Sequence, residues 1–172
     1  MDGESDVLAN LLEQRRHADS GIVEVEAPTV KLVMFAVGTS LFAFPGANVT
    51  EILPLTTIYP VPGCPASLEG VINVRGDIAS VIRLGDLLGE THAATDRQTA
   101  ILLGRGSAMS SGLRVDRVVE VLDVLEELIQ PPPATLPENM QRWATGVFAW
   151  QGRSVLVLNL EPLFQDYRAG LG

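Results

Sequence analysis

The sequence is poor in reactive side chains. Its 172 residues include one cysteine and two histidines. A single cysteine, Cys64, excludes an internal disulfide and fits a reducing compartment. It stands between Gly63 and Pro65 with no histidine nearby to act as a base, so it is expected to be a buried small hydrophobe. His17 and His92 fall in polar stretches without ligand spacing, and both read as solvated surface residues. No G-x-S-x-G, phosphate-cradling loop or H-E-x-x-H is present. Adjacent Glu126 and Glu127 splay apart and suggest a solvated turn rather than a carboxylate pair for acid–base chemistry. Apolar runs such as Val155–Leu158 fall far short of the roughly 20 residues that span a bilayer. The N-terminus, MDGESDVLANLLEQRR, begins with acids and lacks a secretory pattern. The 12 basic residues are scattered among 21 acids, and the net charge of −9 argues against nucleic acid or an anionic membrane as partner.

What is present is a β-rich, core-forming chain, 47% hydrophobic and 19% charged. Its organising stretch is Gly70–Gly89, which reads as strand, tight turn, strand and a helical turn. The same pattern returns 76 residues later in Gly146–Gln165, with six of twenty positions identical: Gly70/Gly146, Val71/Val147, Gly76/Gly152, Val81/Val157, Leu84/Leu160 and Leu87/Leu163. The matches are the turn glycine and the apolar face, which points to two related halves. Arg75-Gly76-Asp77 spells a cell-adhesion tripeptide, but a hairpin tip accounts for it. Upstream, VKLVMFAV and SLFAF form a hairpin across Gly38-Thr39, and Val49–Leu53 a third strand. Prolines 60, 62 and 65 mark a loop. Further strands are expected over Thr99–Leu103 and Leu113–Val124, with Leu113, Val115, Val119 and Val121 facing inward and Arg114, Asp116 and Glu120 outward. The small-residue loop GRGSAMSSG between them is expected to be mobile at its tip. Asn139–Trp143 reads as a helical turn and Glu161–Tyr167 as a terminal helix. About ten short strands with little helix define an all-β barrel or sandwich.

Residues 1–28 stand apart from residues 29–172: seven acids against two arginines place −5 of the net charge there. Val7, Leu8, Leu11 and Leu12 share one helical face. Either this is a solvated acidic tail, or it is a short helix that docks on the body or on a partner.

Several ordered motifs resemble the CheW-like family of bacterial chemotaxis coupling proteins. They are Val49-Thr50-Glu51-Ile52, then Val61-Pro62-Gly63-Cys64-Pro65, then Gly70-Val71-Ile72-Asn73-Val74-Arg75-Gly76. Gly112–Val121 and Thr145–Phe164 are similar to the family's second half, so the likeness runs from Val30 to Tyr167. The resemblance implies two five-stranded SH3-like β-barrels intertwined around a shared core, with short helices including a C-terminal one. It implies a non-catalytic adaptor without cofactor or metal. Such a protein joins the cytoplasmic tip of a chemoreceptor to the regulatory domain of a CheA-type histidine kinase. It would be a cytoplasmic protein recruited to membrane-associated receptor arrays, without inserting into the membrane itself.

Carried over residue by residue, the resemblance places Val49, Glu51, Ile52, Asn73, Arg75, Gly112 and Val115 on the receptor-binding side, Asp116 on the same strand, and Gly70 and Gly76 in structural turn positions. It assigns no kinase-binding residue. Glu51 and Arg75 match a family acid–base pair, read either as a salt bridge shaping the receptor face or as a surface pair without a binding role. The chain departs from the family at Ser80, where a proline is usual, and at Arg83, where an acid is usual. Both bear on which receptor and kinase are served, and a secondary chemosensory pathway would fit them. Other open readings are a CheW-fold scaffold for different signalling partners, a phosphorylation-regulated adaptor, and a small-ligand-binding β-barrel.

Overall fold

The structure is a computed structural model that describes residues 27–171. The N-terminal amphipathic stretch and His17 lie outside the described residues. Ten strands form: β1 (Thr29–Val37), β2 (Ser40–Pro45), β3 (Val49–Pro54), β4 (Leu68–Val74), β5 (Asp77–Arg83), β6 (Ala100–Arg105), β7 (Ser110–Val115), β8 (Arg117–Leu125), β9 (Ala144–Trp150) and β10 (Arg153–Leu158). Three short helices join them: α1 (Leu84–Leu88), α2 (Glu138–Trp143) and α3 (Leu160–Asp166). The strands make two five-stranded sheets, β8-β1-β2-β10-β9 and β3-β6-β7-β5-β4, as the all-β expectation requires.

The duplication runs deeper than the two hairpins. In each sheet a hairpin (β1–β2 or β6–β7) lies beside a second hairpin (β9–β10 or β4–β5) through one parallel contact, and a lone strand (β8 or β3) flanks the first. Strands β3 and β8 share a bulge: Val49 pairs with Gly104 and Glu51 with Leu103, while Val118 pairs with Phe35 and Glu120 with Met34. Each sheet then curls shut through a single bridge, Tyr59 to Val71 and Gln130 to Val147. The matched glycines make that closure possible. A Cβ on Gly70 would lie 2.3 Å from the Tyr59 carbonyl oxygen, and one on Gly146 would lie 2.2 Å from Ile129 Cγ2. No side chain fits between strands that close. The halves also exchange partners: β1–β2 of the first completes the barrel of β8–β10, and β6–β7 of the second joins β3–β5.

Alternation sorts the apolar residues into three clusters. One fills the barrel of β1, β2 and β8–β10, with Leu32, Met34, Phe148, Val155 and Val157. Its smaller counterpart, Ile72, Val81 and Ile101, fills the barrel of β3–β7. The third lies between the barrels and draws on both halves, pairing Ile82, Leu84 and Leu87 with Leu158, Leu160 and Leu163 around the buried Phe35, Phe44 and Trp143. Trp143 is fully buried, and its indole N–H donates to Asp166 Oδ2 at 2.8 Å.

Several local expectations are corrected. Leu113–Val124 is not one strand: β7 and β8 belong to different sheets, and while Val119 still packs against the core of its barrel, Val121 is 47% exposed. Arg114 is buried rather than outward, because the 90–98 segment folds over it. The β6–β7 loop is pinned: Glu161 accepts from the Ser107 backbone N–H and hydroxyl, and Arg168 donates to the Ala108 carbonyl at 2.8 Å. Cys64 is exposed, since the proline-rich loop runs over the surface without covering its own cysteine. His92 is buried, with 4% of its side chain exposed.

Candidate functional site

The β4–β5 turn is the two-residue loop Arg75-Gly76, with Val74 paired to Asp77 across it. Both turn residues have positive φ, 52° at Arg75 and 92° at Gly76, the geometry that matches strand twist in a tight hairpin. Gly76 accepts it freely, whereas an arginine there is unusual. Two contacts hold the arrangement. Asn73 Oδ1 accepts from the Gly76 N–H at 2.7 Å. Arg75 reaches to β3 and grips Glu51 with both arms, Nη1 to Oε1 at 2.8 Å and Nη2 to Oε2 at 2.7 Å. The bonds from Arg75 hold the Glu51 carboxyl below its ordinary range against a smaller opposing effect of burial, and raise the Arg75 guanidinium in turn. The pair is therefore charged at any physiological pH. Arg75 stays 71% exposed, with donors to spare.

A groove of about 530 Å³ opens beside the pair, between Thr50, Val74, Ile78, Arg105 and Ser110. Ile78 is 68% exposed and lines this groove, so apolar surface lies beside the charged pair. Val49 lies half-buried against the shared core rather than at the surface. Glu51, Asn73 and Arg75 are thus brought together, while Ile52, next to Glu51 in a regular stretch of β3, points to the opposite face of the sheet. Gly112 and Val115 do not join them either. Val115 is fully buried in the shared core, and Gly112 is buried where a Cβ would lie 2.9 Å from Ile101 Cγ2, so neither offers a side chain to a partner. Sequence reasoning missed Ile78. The two-residue turn sets Ile78 opposite Asn73 and hence on the same exposed face, so turn length was the usable signal.

Two further polar clusters are internal. Asp116 accepts from Gly38 N–H at 2.7 Å, from Ala93 N–H at 2.9 Å and from His92 Nδ1 at 2.9 Å. The Gly85 N–H donates to His92 Nε2 at 2.9 Å, which makes the imidazole the neutral Nδ1–H tautomer. Burial opposes the charge on Asp116, but the bonds from Ala93, His92 and Gly38 together outweigh it and hold its carboxyl below the ordinary range. With both ring nitrogens engaged, the imidazole is a strut and not a base. In the other cluster, Arg114 bonds Glu69 and Thr95, while Arg83 lies 3.7 Å from Glu69 and 3.5 Å from Asp86. The reversed charge at Arg83 is thus balanced by carboxylates of the same chain. Among the described residues no group of three His, Cys, Asp or Glu converges as a metal site would.

A duplicated double barrel with His92, Asp116 and Arg114 held in internal bonds, and a charged hairpin tip beside the exposed Ile78, has the make-up of a binding module. Comparison with known proteins gives its family. The CheW-like domain family matches residues 31–168. The probable chemotaxis protein CheW of Rhizobium etli is 32% identical over 136 residues, 79% of this chain and 88% of that protein. The chemotaxis protein CheW of Helicobacter pylori is 26% identical over 162 residues, 94% and 98% of the two chains. The crystal structure of the scaffolding protein TtCheW from Thermoanaerobacter tengcongensis superposes with a TM-score of 0.71 at 27% identity, covering 80% of this chain and 88% of that one. The chain belongs to the CheW-like family.

Proposed function

We propose that this protein is a non-catalytic adaptor that couples the cytoplasmic tip of a chemoreceptor to the regulatory domain of a CheA-type histidine kinase. The observation that carries this reading is the bidentate Glu51–Arg75 pair, displayed at a tight turn beside the exposed Ile78 in a chain whose relatives are named for chemotaxis. Glu51 orients the guanidinium, and its remaining donors reach a carbonyl or carboxylate of the receptor. The exposed Ile78 supplies the apolar contact that the charge alone lacks. No helix among the described residues is long and apolar enough to cross a membrane, so the protein joins a membrane-associated array through its partners.

The test is a pull-down with the kinase regulatory domain and a receptor-tip fragment from the same genome. Wild type is expected to bind both. Arg75→Ala and Ile78→Arg are expected to weaken the receptor contact and spare the kinase. Wild type binding neither partner would overturn the reading. Arg83 carries the finer proposal of a secondary pathway. Mixed with a housekeeping receptor–kinase pair, this protein is expected to activate the kinase less than that pair's own coupler, and equal activation would refute it.

A further inference from the structure

A second groove, unconnected with the Glu51–Arg75 pair, lies against the barrel of β1, β2 and β8–β10. It encloses about 670 Å³ between Leu41, Phe42, Leu136, Met140, Val147 and Leu156, with Glu90 and Arg153 also lining it. The duplication shows that its apolar floor is peculiar to this barrel. Leu156 pairs with Phe42 here. At the matching place in the other barrel, Ser80 and Ser111 face each other with their hydroxyls 2.7 Å apart. The segment leading into the hairpin differs as well. Residues 60–67 cross the surface as a short loop in one half, while residues 131–143 carry α2 in the other. An apolar floor and the longer connection beside it occur together on one side alone.

We infer that this groove seats the chain's own N-terminal segment, with Val7, Leu8, Leu11 and Leu12 inserted. These four fall on one face at helical spacing and make a compact apolar unit suited to a groove of this size. The chain enters the same barrel at Pro28, whose carbonyl accepts from Glu126 N–H at 2.9 Å. From there β1 runs nine residues, about 30 Å, toward the Thr39 end of the groove. Leu12 and Ala27 are 15 residues apart, a tether of up to about 50 Å. A tether that long reaches the groove and keeps the apolar unit at high effective concentration there. The charges agree: Asp6 and Glu13 bracket the unit for Arg153, and Arg15 and Arg16 follow for Glu90. This seat is independent of the adaptor reading and stands if that reading fails.

The test uses the full chain with Cys64→Ser, a nitroxide on Asn10→Cys, and isotope-labelled Leu, Val and Met methyls. The expected result is loss of the Leu136, Met140, Val147 and Leu156 methyl signals in dilute solution, with Leu53 and Val74 of the other barrel intact. Adding Leu8→Asp and Leu12→Asp is expected to restore those signals without shifting the rest of the spectrum. Bleaching elsewhere, no bleaching, or bleaching that survives the double aspartate variant overturns the inference. So does bleaching that arises only between separately labelled molecules, which would make the occupant a second copy.

Discussion

Arg75 holds two properties that pull in opposite directions. Its positive φ disfavours any side chain, while its guanidinium stands far more exposed than the carboxylate it grips. The two separate on substitution. Arg75→Gly is expected to leave thermal stability unchanged or slightly raised, since glycine suits the turn, yet to weaken receptor-tip binding roughly tenfold, as loss of a binding arginine does. Paired melting and titration experiments read both. Asp116 is the opposite case, a charge spent on structure. In Asp116→Asn the amide oxygen can still take both backbone N–H groups, as Oδ2 does, but the charge is lost and the NH2 would face the Nδ1–H of His92, a donor against a donor. Because Nε2 is already taken by Gly85, the ring cannot change tautomer to help. A loss of about 2–3 kcal/mol in urea unfolding is expected. The carboxyl also sets an acid limit. Its value is lowered in the folded state, so its stabilisation is complete above the ordinary aspartate value of about 3.9 and drains away as pH falls through the folded value. The unfolding midpoint of wild type should fall more steeply below pH 4 than that of Asp116→Asn. Glu51 and Arg75 were legible in sequence because a local motif carries them. His92, Arg114 and Cys64 were misread because their burial depends on where residues 60–66 and 90–98 lie, which no local pattern encodes.

At the scale of elements, closure of each barrel depends on a glycine beside the bridging residue. The two glycines are not equivalent in what they avoid. A methyl at Gly70 meets a backbone carbonyl that itself accepts from Val71 N–H, while a methyl at Gly146 meets the Ile129 side chain first. Gly70→Ala is therefore expected to cost more than Gly146→Ala, about 2–4 kcal/mol by chemical denaturation. Truncating Ile129→Ala should recover part of the loss in Gly146→Ala. No side-chain truncation should recover Gly70→Ala. The hairpins and their helical turns were visible as a repeat because a tight turn and an alternating face leave a short-range signature. The equivalence of β3 and β8 was not. Val49-Thr50-Glu51-Ile52-Leu53 and Val118-Val119-Glu120-Val121-Leu122 share a central glutamate between a leading valine and a closing leucine, and their common bulge shows only once the partner strands are known.

Across the whole molecule, each half is incomplete without the other. Sequence similarity revealed two halves but not their exchange of hairpins, because like sequences say nothing about which copy a strand pairs with. Fragments separated within the 93–97 stretch are each expected to show no cooperative transition, since neither completes a barrel or the shared core. Mixed together they should recover the native spectrum, as circular dichroism and amide NMR would show. The exchange has a further consequence for synthesis. Strands β3 to β7 run consecutively through residues 49–115, so that barrel is finished while the rest of the chain is still in the ribosome. Hairpin β1–β2 emerges first and finds its mates last. At ordinary translation rates the 72 residues from Pro45 to Arg117 (117 − 45) take ~4–15 s, and β10 comes later still. Through that interval a nascent chain carries a sticky, unpaired outer hairpin, joined by a completed inner barrel only once residue 115 has emerged, and that species is the one a chaperone must hold.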